Sequence, residues 1–135
     1  MEAYRFRCIE RIQMKQKVII DTNGLMILGQ FGLDIFSELG RLGFDSYIVS
    51  SASVRELEKI TASGRGKDKM AAKIALSLLD RCIIIEETGF ADDLILEMAI
   101  GMKASVLTND AELKKRLCSK GVTIVYLRDR TRLSI

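Results

Sequence analysis

Histidine, proline and tryptophan are absent from this chain, and cysteine and aromatic residues are scarce. Without histidine the chain cannot form a Ser-His or Cys-His catalytic pair, and it lacks the most common zinc ligand. The cysteines, Cys8, Cys82 and Cys118, lack C-x-x-C spacing, which argues against a zinc site or a disulfide framework and favours a reducing cytoplasm. Any catalysis must therefore depend on carboxylates, lysines or a bound metal ion.

Long apolar runs are also missing. No segment reaches the roughly 18 apolar residues of a membrane span, and the first residues lack the apolar core of a signal peptide. We therefore expect a cytoplasmic protein without a membrane partner. The 135 residues, 48% of them hydrophobic and 29% charged, predict one domain with a sizeable core. The net charge of +3 is too small to indicate a nucleic-acid partner by itself.

Short β-branched runs alternate with segments of helical spacing. This alternation predicts an α/β fold, a three-layer α/β/α arrangement around a five-stranded parallel sheet. The predicted strands cover residues 17–21, 47–50, 82–86, 104–108 and 122–127. Residues 1–15 are predicted to be an N-terminal extension and residues 16–135 the folded domain. The segment TASGRGKDK, residues 61–69, has the composition of a loop.

Acidic residues follow four of the predicted strands. Asp21 ends the run VIID, Glu56 lies early in the next helix, Asp92 and Asp93 open a later helix, and Asp110 follows VLTN. Because parallel strands end at the same edge of a sheet, we expect these acids to gather where the strand order reverses. Oxygen ligands without histidine or cysteine suit Mg²⁺ or Mn²⁺ better than zinc or copper. The sequence therefore predicts a metal site at this edge.

Each acid also has a purely structural explanation. Asp21 and Asp110 are plausible helix caps, and Glu56 fits an S-x-x-E capping box with Ser53. The adjacent acids of the later helix suit the positive end of its dipole. Capping alone does not require a carboxylate at all four junctions, and gathered like charges repel unless a cation is present. The coincidence therefore favours the metal site.

Two polar residues flank these acids in the motifs DTN and TND. Asn23 and Thr108 can donate hydrogen bonds that orient Asp21, and an ordinary role in the turns explains both residues equally well. Both interpretations remain open from the sequence alone.

The order of these motifs resembles the PIN-domain family. The matching segments are VIIDTN, SVRELEKI and ADDLILEMAIGMKASVLTNDAELKKRL, and the resemblance extends over residues 17–127. Members of this family are small ribonucleases that contain a parallel sheet. Their activity depends on Mg²⁺ or Mn²⁺. The resemblance implies that the catalytic, metal-holding acids are Asp21, Glu56, Asp92 and Asp110. Asp93 is implied as a further metal ligand.

The resemblance also implies a function and partners. The expected activity is hydrolysis of RNA phosphodiester bonds by one or two bound Mg²⁺ or Mn²⁺ ions. The chain looks most like archaeal single-domain members, which are similar to nucleases that process ribosomal RNA and to the toxins of toxin–antitoxin pairs. The expected partners are single-stranded RNA, a second copy in a homodimer, and an antitoxin or a ribosome-assembly factor.

Several basic residues are candidates for contacts with RNA phosphates. Arg65, Lys67 and Lys69 lie in the segment predicted as a loop, and Lys114 follows Asp110. Such contacts would make binding depend on salt, although charged helix faces are usually only solvated. The few aromatic residues are expected mostly in the core, which predicts little recognition of individual bases.

Two other functions are consistent with the same acids. One is a non-catalytic RNA-binding or assembly module in which a metal ion has only a structural role. The other is a different Mg²⁺-dependent enzyme that hydrolyses phosphate esters, such as a phosphatase.

Overall fold

The computed structural model describes residues 16–135. Six strands form one sheet, and the first five begin and end within two residues of the predicted ones. They are β1 (Lys17–Ile20), β2 (Ser46–Ser50), β3 (Ile83–Ile85), β4 (Ser105–Leu107), β5 (Ile124–Arg128) and β6 (Arg132–Ser134). The predicted N-terminal extension, residues 1–15, lies outside the described residues.

Helices fill the connections between the first five strands. They are α1 (Thr22–Leu25), α2 (Ile27–Phe31), α3 (Ile35–Arg41), α4 (Ser51–Ser63), α5 (Gly66–Ser77), α6 (Ala91–Met102) and α7 (Ala111–Ser119), with a 3₁₀ turn at Leu79–Arg81. No helix within residues 16–135 is long and apolar enough to cross a membrane.

The two faces of the sheet are buried under different helices. On one face Val18 and Ile20 of β1 belong to a core with residues of α1 to α5. On the other face Ile19 packs in a second core with residues of α6 and α7, among them Ile95 and Leu113. All three β1 residues are fully buried because helices cover both faces. The predicted three-layer α/β/α fold is confirmed.

The strand order β3-β2-β1-β4-β5-β6 places β1 at the centre. The chain runs from β1 outward through β2 to β3, and then returns to place β4 on the other side of β1. Ile19 therefore pairs with Ile48 on one side and Val106 on the other, both in parallel register. The strand order reverses between β1 and β4, and the backbone N–H of Asp21 donates to the Leu107 carbonyl at 3.1 Å. This junction is where open α/β sheets bind their ligands.

The prediction of a five-stranded parallel sheet is wrong by one strand. β6 pairs antiparallel with β5 through a tight turn, in which the Thr131 N–H donates to the Arg128 carbonyl at 3.1 Å. Asp129 and Arg130 adopt φ angles of 56° and 59°, as the central residues of a type I′ turn do. Asn-Gly is the usual sequence marker of such a turn, and RDRT gives no comparable indication.

The loop predicted over residues 61–69 is largely helical. α4 continues to Ser63 and α5 begins at Gly66, so only two residues join them. The hydroxyls of Thr61 and Ser63 donate to the carbonyls of Leu57 and Lys59, four residues earlier. These bonds let polar side chains remain in a helix that the composition does not favour.

Gly29 marks a close contact between α2 and α5. A Cβ atom at this position would lie 2.5 Å from the Ala71 Cα atom and 2.8 Å from its Cβ atom. We expect Gly29→Ala to lower the free energy of unfolding by about 1–3 kcal/mol, because the helices must move apart. Gly40→Ala in α3 is the matched control, since nothing lies within 4 Å of its added Cβ. The control should be neutral or stabilising in urea unfolding, and equal behaviour of both variants would contradict the close contact.

Candidate active site

Asp21 lies directly after β1 and is only 6% exposed. One carboxylate oxygen, Oδ1, accepts from the Thr22 N–H at 2.7 Å, and Oδ2 accepts from the Thr108 hydroxyl at 2.9 Å. Burial raises the pKa of this carboxyl to about 6, against the lowering effect of those two hydrogen bonds, and the charges of Asp92 and Glu56 raise it further. No lysine or arginine within residues 16–135 forms an ion pair with it. Asp21 is therefore a buried acid whose charge is uncompensated by the described residues.

Thr108 connects Asp21 to Asp110. Its buried hydroxyl donates to Asp21 and accepts from the Asp110 N–H at 3.1 Å. The Asp110 side chain is exposed, and its Oδ1 atom accepts from the Leu113 N–H at 2.9 Å, which caps α7. Asp110 thus has the capping role considered from the sequence while it also lies beside the end of β1.

Glu56 reaches the same edge from α4. Its Oε2 atom accepts from the Thr22 hydroxyl at 3.1 Å, so Thr22 links the second acid to the Asp21 turn. The capping box of Ser53 and Glu56 is wrong. The side chain of Ser50 caps α4 by accepting from the Ser53 N–H at 3.2 Å, and this leaves Glu56 outside the cap.

Asp92 and Asp93 both lie in the first turn of α6, but their surroundings differ. Asp92 is half-buried, and its pKa is raised by burial and then by the charge of Asp110, although Arg116 lowers it. Asp93 is exposed and pairs with Arg116 at 2.7 Å. Asp92 is therefore electrostatically coupled to the other acids, whereas the charge of Asp93 is balanced by an arginine.

Asn23 connects the β1 turn to the loop after β4. Its Oδ1 atom accepts from the Asn109 N–H at 3.2 Å, and the Asn109 side chain accepts from the Leu127 N–H at 3.0 Å. One interpretation of the sequence was that Asn23 orients Asp21. The structure instead shows the Asn23 side chain accepting a hydrogen bond from Asn109. The sequence interpretation missed Thr22 and Asn109, although both lie inside the motifs DTN and TND. Their positions next to Asp21 and Asp110 in the sequence could have identified them as residues of the site.

The catalytic candidates Asp21, Glu56, Asp92 and Asp110 thus share one edge of the sheet. Hydrogen bonds through threonine connect Asp21 with Glu56 and Asp110, and the charge of Asp92 helps to raise the pKa of Asp21. Within residues 16–135, however, no three acidic, histidine or cysteine side chains approach closely enough to enclose a metal ion. The oxygen donors have the chemistry that Mg²⁺ or Mn²⁺ requires. Mutual repulsion keeps unneutralised carboxylates apart.

The basic candidates fall into two separate groups. Arg65 and Lys67 are exposed where α4 passes into α5, and Lys69 is half-buried in the first turn of α5. Lys114 is half-buried on α7, where its Nζ atom lies 5.2 Å from the centre of the Tyr126 ring. The first group alternates with Gly66 and Asp68 within five residues, and Lys114 makes a cation–π contact.

Relatives of known sequence share nearly the whole chain. Residues 18–130 match the family described as PIN like domain. The chain is 33% identical over 117 residues to Ribonuclease VapC9 of Archaeoglobus fulgidus, covering 87% of each protein. It is 28% identical over 120 residues to Ribonuclease VapC4 of Methanocaldococcus jannaschii, covering 84% of this chain and 92% of that protein.

Solved structures show the same arrangement. The PIN domain endonuclease Utp24 superposes with a TM-score of 0.70 at 27% identity, covering 87% of this chain and 90% of that one. A domain of a functionally unknown protein from Methanocaldococcus jannaschii has the same fold, with a TM-score of 0.61 at 20% identity, covering 84% of this chain and 91% of that one. With its sheet order, its acidic edge and these relatives, the chain belongs to the PIN-domain ribonuclease family.

Proposed function

We propose that this protein is a metal-dependent endoribonuclease that hydrolyses phosphodiester bonds in single-stranded RNA. The observation that carries the proposal is the buried Asp21 carboxylate. It lies where the strand order reverses, has a pKa raised by burial and by neighbouring acids, and has no cationic partner among the described residues. Burial of such a charged group lowers the stability of the folded protein unless a cation compensates the charge.

Asp21, Glu56, Asp92 and Asp110 would hold one or two Mg²⁺ or Mn²⁺ ions. When bound, such an ion lowers the pKa of water and stabilises negative charge on the scissile phosphate, which would replace the absent histidine base. Glu56 and Asp110 are exposed, so their side chains have room to turn toward Asp21. Asp93 would join these ligands only by giving up its bond to Arg116.

The remaining polar residues would hold the acids in place. Thr108 and the Thr22 N–H fix both oxygens of Asp21, and the Thr22 hydroxyl restrains Glu56. Asn23 and Asn109 tie the loops that carry Asp21 and Asp110 together. The proposed contacts to RNA phosphates are Arg65, Lys67, Lys69 and Lys114.

The relatives support RNA as the substrate. Two relatives are named ribonucleases, and the solved structure at 27% identity is named an endonuclease. The family resemblance includes toxins of toxin–antitoxin pairs and nucleases that process ribosomal RNA, and both roles require the same hydrolysis. An antitoxin is the partner that we propose for the toxin role, and a ribosome-assembly factor for the other. A homodimer acting in the cytoplasm is compatible with both roles.

The test is cleavage of an end-labelled single-stranded RNA by the full chain, with Mg²⁺, with Mn²⁺ and with excess EDTA. We expect internal cuts with either metal ion and none with EDTA. A phosphomonoester substrate is included in parallel. Hydrolysis of the phosphomonoester without RNA cleavage would favour a phosphatase, and RNA binding without any cleavage would favour the non-catalytic module.

A further inference from the structure

Phe90 is an unusual residue at the edge that carries the acids. It immediately precedes α6 and is 82% exposed, more than any other large apolar side chain within residues 16–135. It is separated from Asp92 by one residue, so the two Cα atoms are less than about 8 Å apart. The expectation that the aromatic residues lie mostly in the core therefore fails at this position.

Local stability does not account for a phenylalanine here. Phe90 occupies the N-cap position of α6, where serine, threonine, aspartate and asparagine are preferred, and it makes no side-chain cap. Ser50 and Asp110 do provide such bonds at the starts of α4 and α7. The ring thus contributes neither a cap nor substantial buried apolar area.

The chain around Phe90 is polar. Glu86, Glu87, Thr88 and Gly89 precede the ring, and acids follow it. A protein interface needs a larger apolar centre than one ring, whereas a single exposed ring is sufficient to stack one nucleobase. The surroundings therefore favour a nucleobase over a protein as the partner of Phe90.

Arg55 provides a cation beside the segment that leads to Phe90. It lies next to Glu56 in the chain, and its guanidinium group donates to the Glu87 carbonyl at 3.4 Å. Arg55, Glu86, Glu87 and Thr88 line an open cavity of about 330 Å³. Among residues 16–135 no carboxylate lies within ion-pair distance of Arg55. A nucleotide next to the acids would therefore meet a guanidinium group for its phosphate and an aromatic face for its base.

We propose that Phe90 stacks on a base of single-stranded RNA adjacent to the cleaved bond, with Arg55 beside the phosphate of that nucleotide. The inference rests on the proposed ribonuclease function and adds to it a residue that positions the substrate. Stacking on an aromatic ring tolerates every base, so Phe90 contributes affinity with little sequence preference.

The absence of tryptophan from the chain permits a direct test. Phe90→Trp, made together with Asp21→Asn so that RNA stays intact, places a single fluorophore at the proposed contact. We expect single-stranded RNA to quench its emission and an abasic ribose-phosphate strand to leave it unchanged. Ile100→Trp, at the opposite end of α6 and at a residue that is 51% exposed, is the matched control and should respond to neither.

Affinity provides the second measurement. We expect Phe90→Ala to weaken RNA binding roughly 5- to 150-fold, as loss of one stacked base does, and Phe90→Tyr to retain it. Unchanged affinity of Phe90→Ala, or equal quenching by abasic RNA, would overturn the inference while RNA cleavage by the native chain still upheld the proposed function. A change in oligomeric state without a change in RNA affinity would identify Phe90 as a protein contact and also overturn it. If the native chain neither binds nor cleaves RNA with any metal ion, both proposals fail.

Discussion

Replacing Asp21 with asparagine should lower RNA cleavage at least about 100-fold while making the metal-free protein more stable. Even residues that only orient metal ligands contribute 10- to 100-fold to affinity or activity, and Asp21 is proposed as a direct ligand. Asparagine keeps the size of the side chain, and its amide group can bond both Thr22 and Thr108. It removes only the buried charge. Cleavage is measured as initial rates in Mg²⁺ or Mn²⁺, and stability by urea unfolding in EDTA.

The matched control is Asp34→Asn at the start of α3. Asp34 also caps a helix through its side chain, by accepting from the Phe36 and Ser37 N–H groups, but it lies outside the acidic edge. This variant should cleave RNA at close to the native rate. Added Mg²⁺ should stabilise the native protein and the control but not Asp21→Asn, since only a folded state that binds the ion gains stability from it. Normal cleavage by Asp21→Asn would eliminate the proposed site.

The stability of the metal-free protein should depend on pH through Asp21. Its pKa rises from 3.8 to about 6 on folding, mainly because the carboxyl is buried, so the folded state binds the proton more tightly. The contribution of protonated Asp21 to the free energy of unfolding is therefore fully present below about pH 4. It is lost as the pH rises through about 6. This difference between the pKa of Asp21 in the folded and unfolded states corresponds to about 3 kcal/mol of stability, at 1.36 kcal/mol for each pKa unit.

This pH dependence is isolated by comparison with Asp21→Asn. The free energies of unfolding of the two proteins, measured in EDTA from pH 4 to pH 8, should diverge by about 3 kcal/mol as the pH rises, with the variant the more stable. Acids that are not coupled to Asp21 titrate alike in both proteins and cancel in the difference. Thr108→Val removes a hydrogen bond that lowers the Asp21 pKa, so its transition should shift to higher pH. Parallel curves for the native protein and Asp21→Asn would mean that Asp21 is not the buried acid described.

The sequence alone was sufficient to predict the three α/β/α layers and the position of the candidate acids after the strands, whereas their metal-binding role stays a prediction. Strands buried on both faces must be continuous apolar runs, and the run ending in Asp21 shows this directly. Because parallel strands end at one edge, the motifs also predicted that the acids would gather where the strand order reverses, and the pairing of β1 with β4 places Asp21 and Asp110 at that junction. These features depend on residue type and spacing, which are readable without coordinates.

The tertiary structure decided what depends on contacts between distant residues. The sixth strand exists because α3 holds it: the Leu133 N–H donates to Glu38, and Arg41 donates to the Leu133 carbonyl. Asp93 differs from Asp92 because it is exposed and forms an ion pair with Arg116 of another helix, whereas Asp92 is half-buried. The sequence suggested core positions for most of the aromatic residues, and the exposure of Phe90 followed from where the chain enters α6. Residue type and spacing therefore predicted the layers, the first five strands and the acidic edge, whereas the sixth strand and the partner and exposure of each side chain were set by packing between elements far apart in the chain.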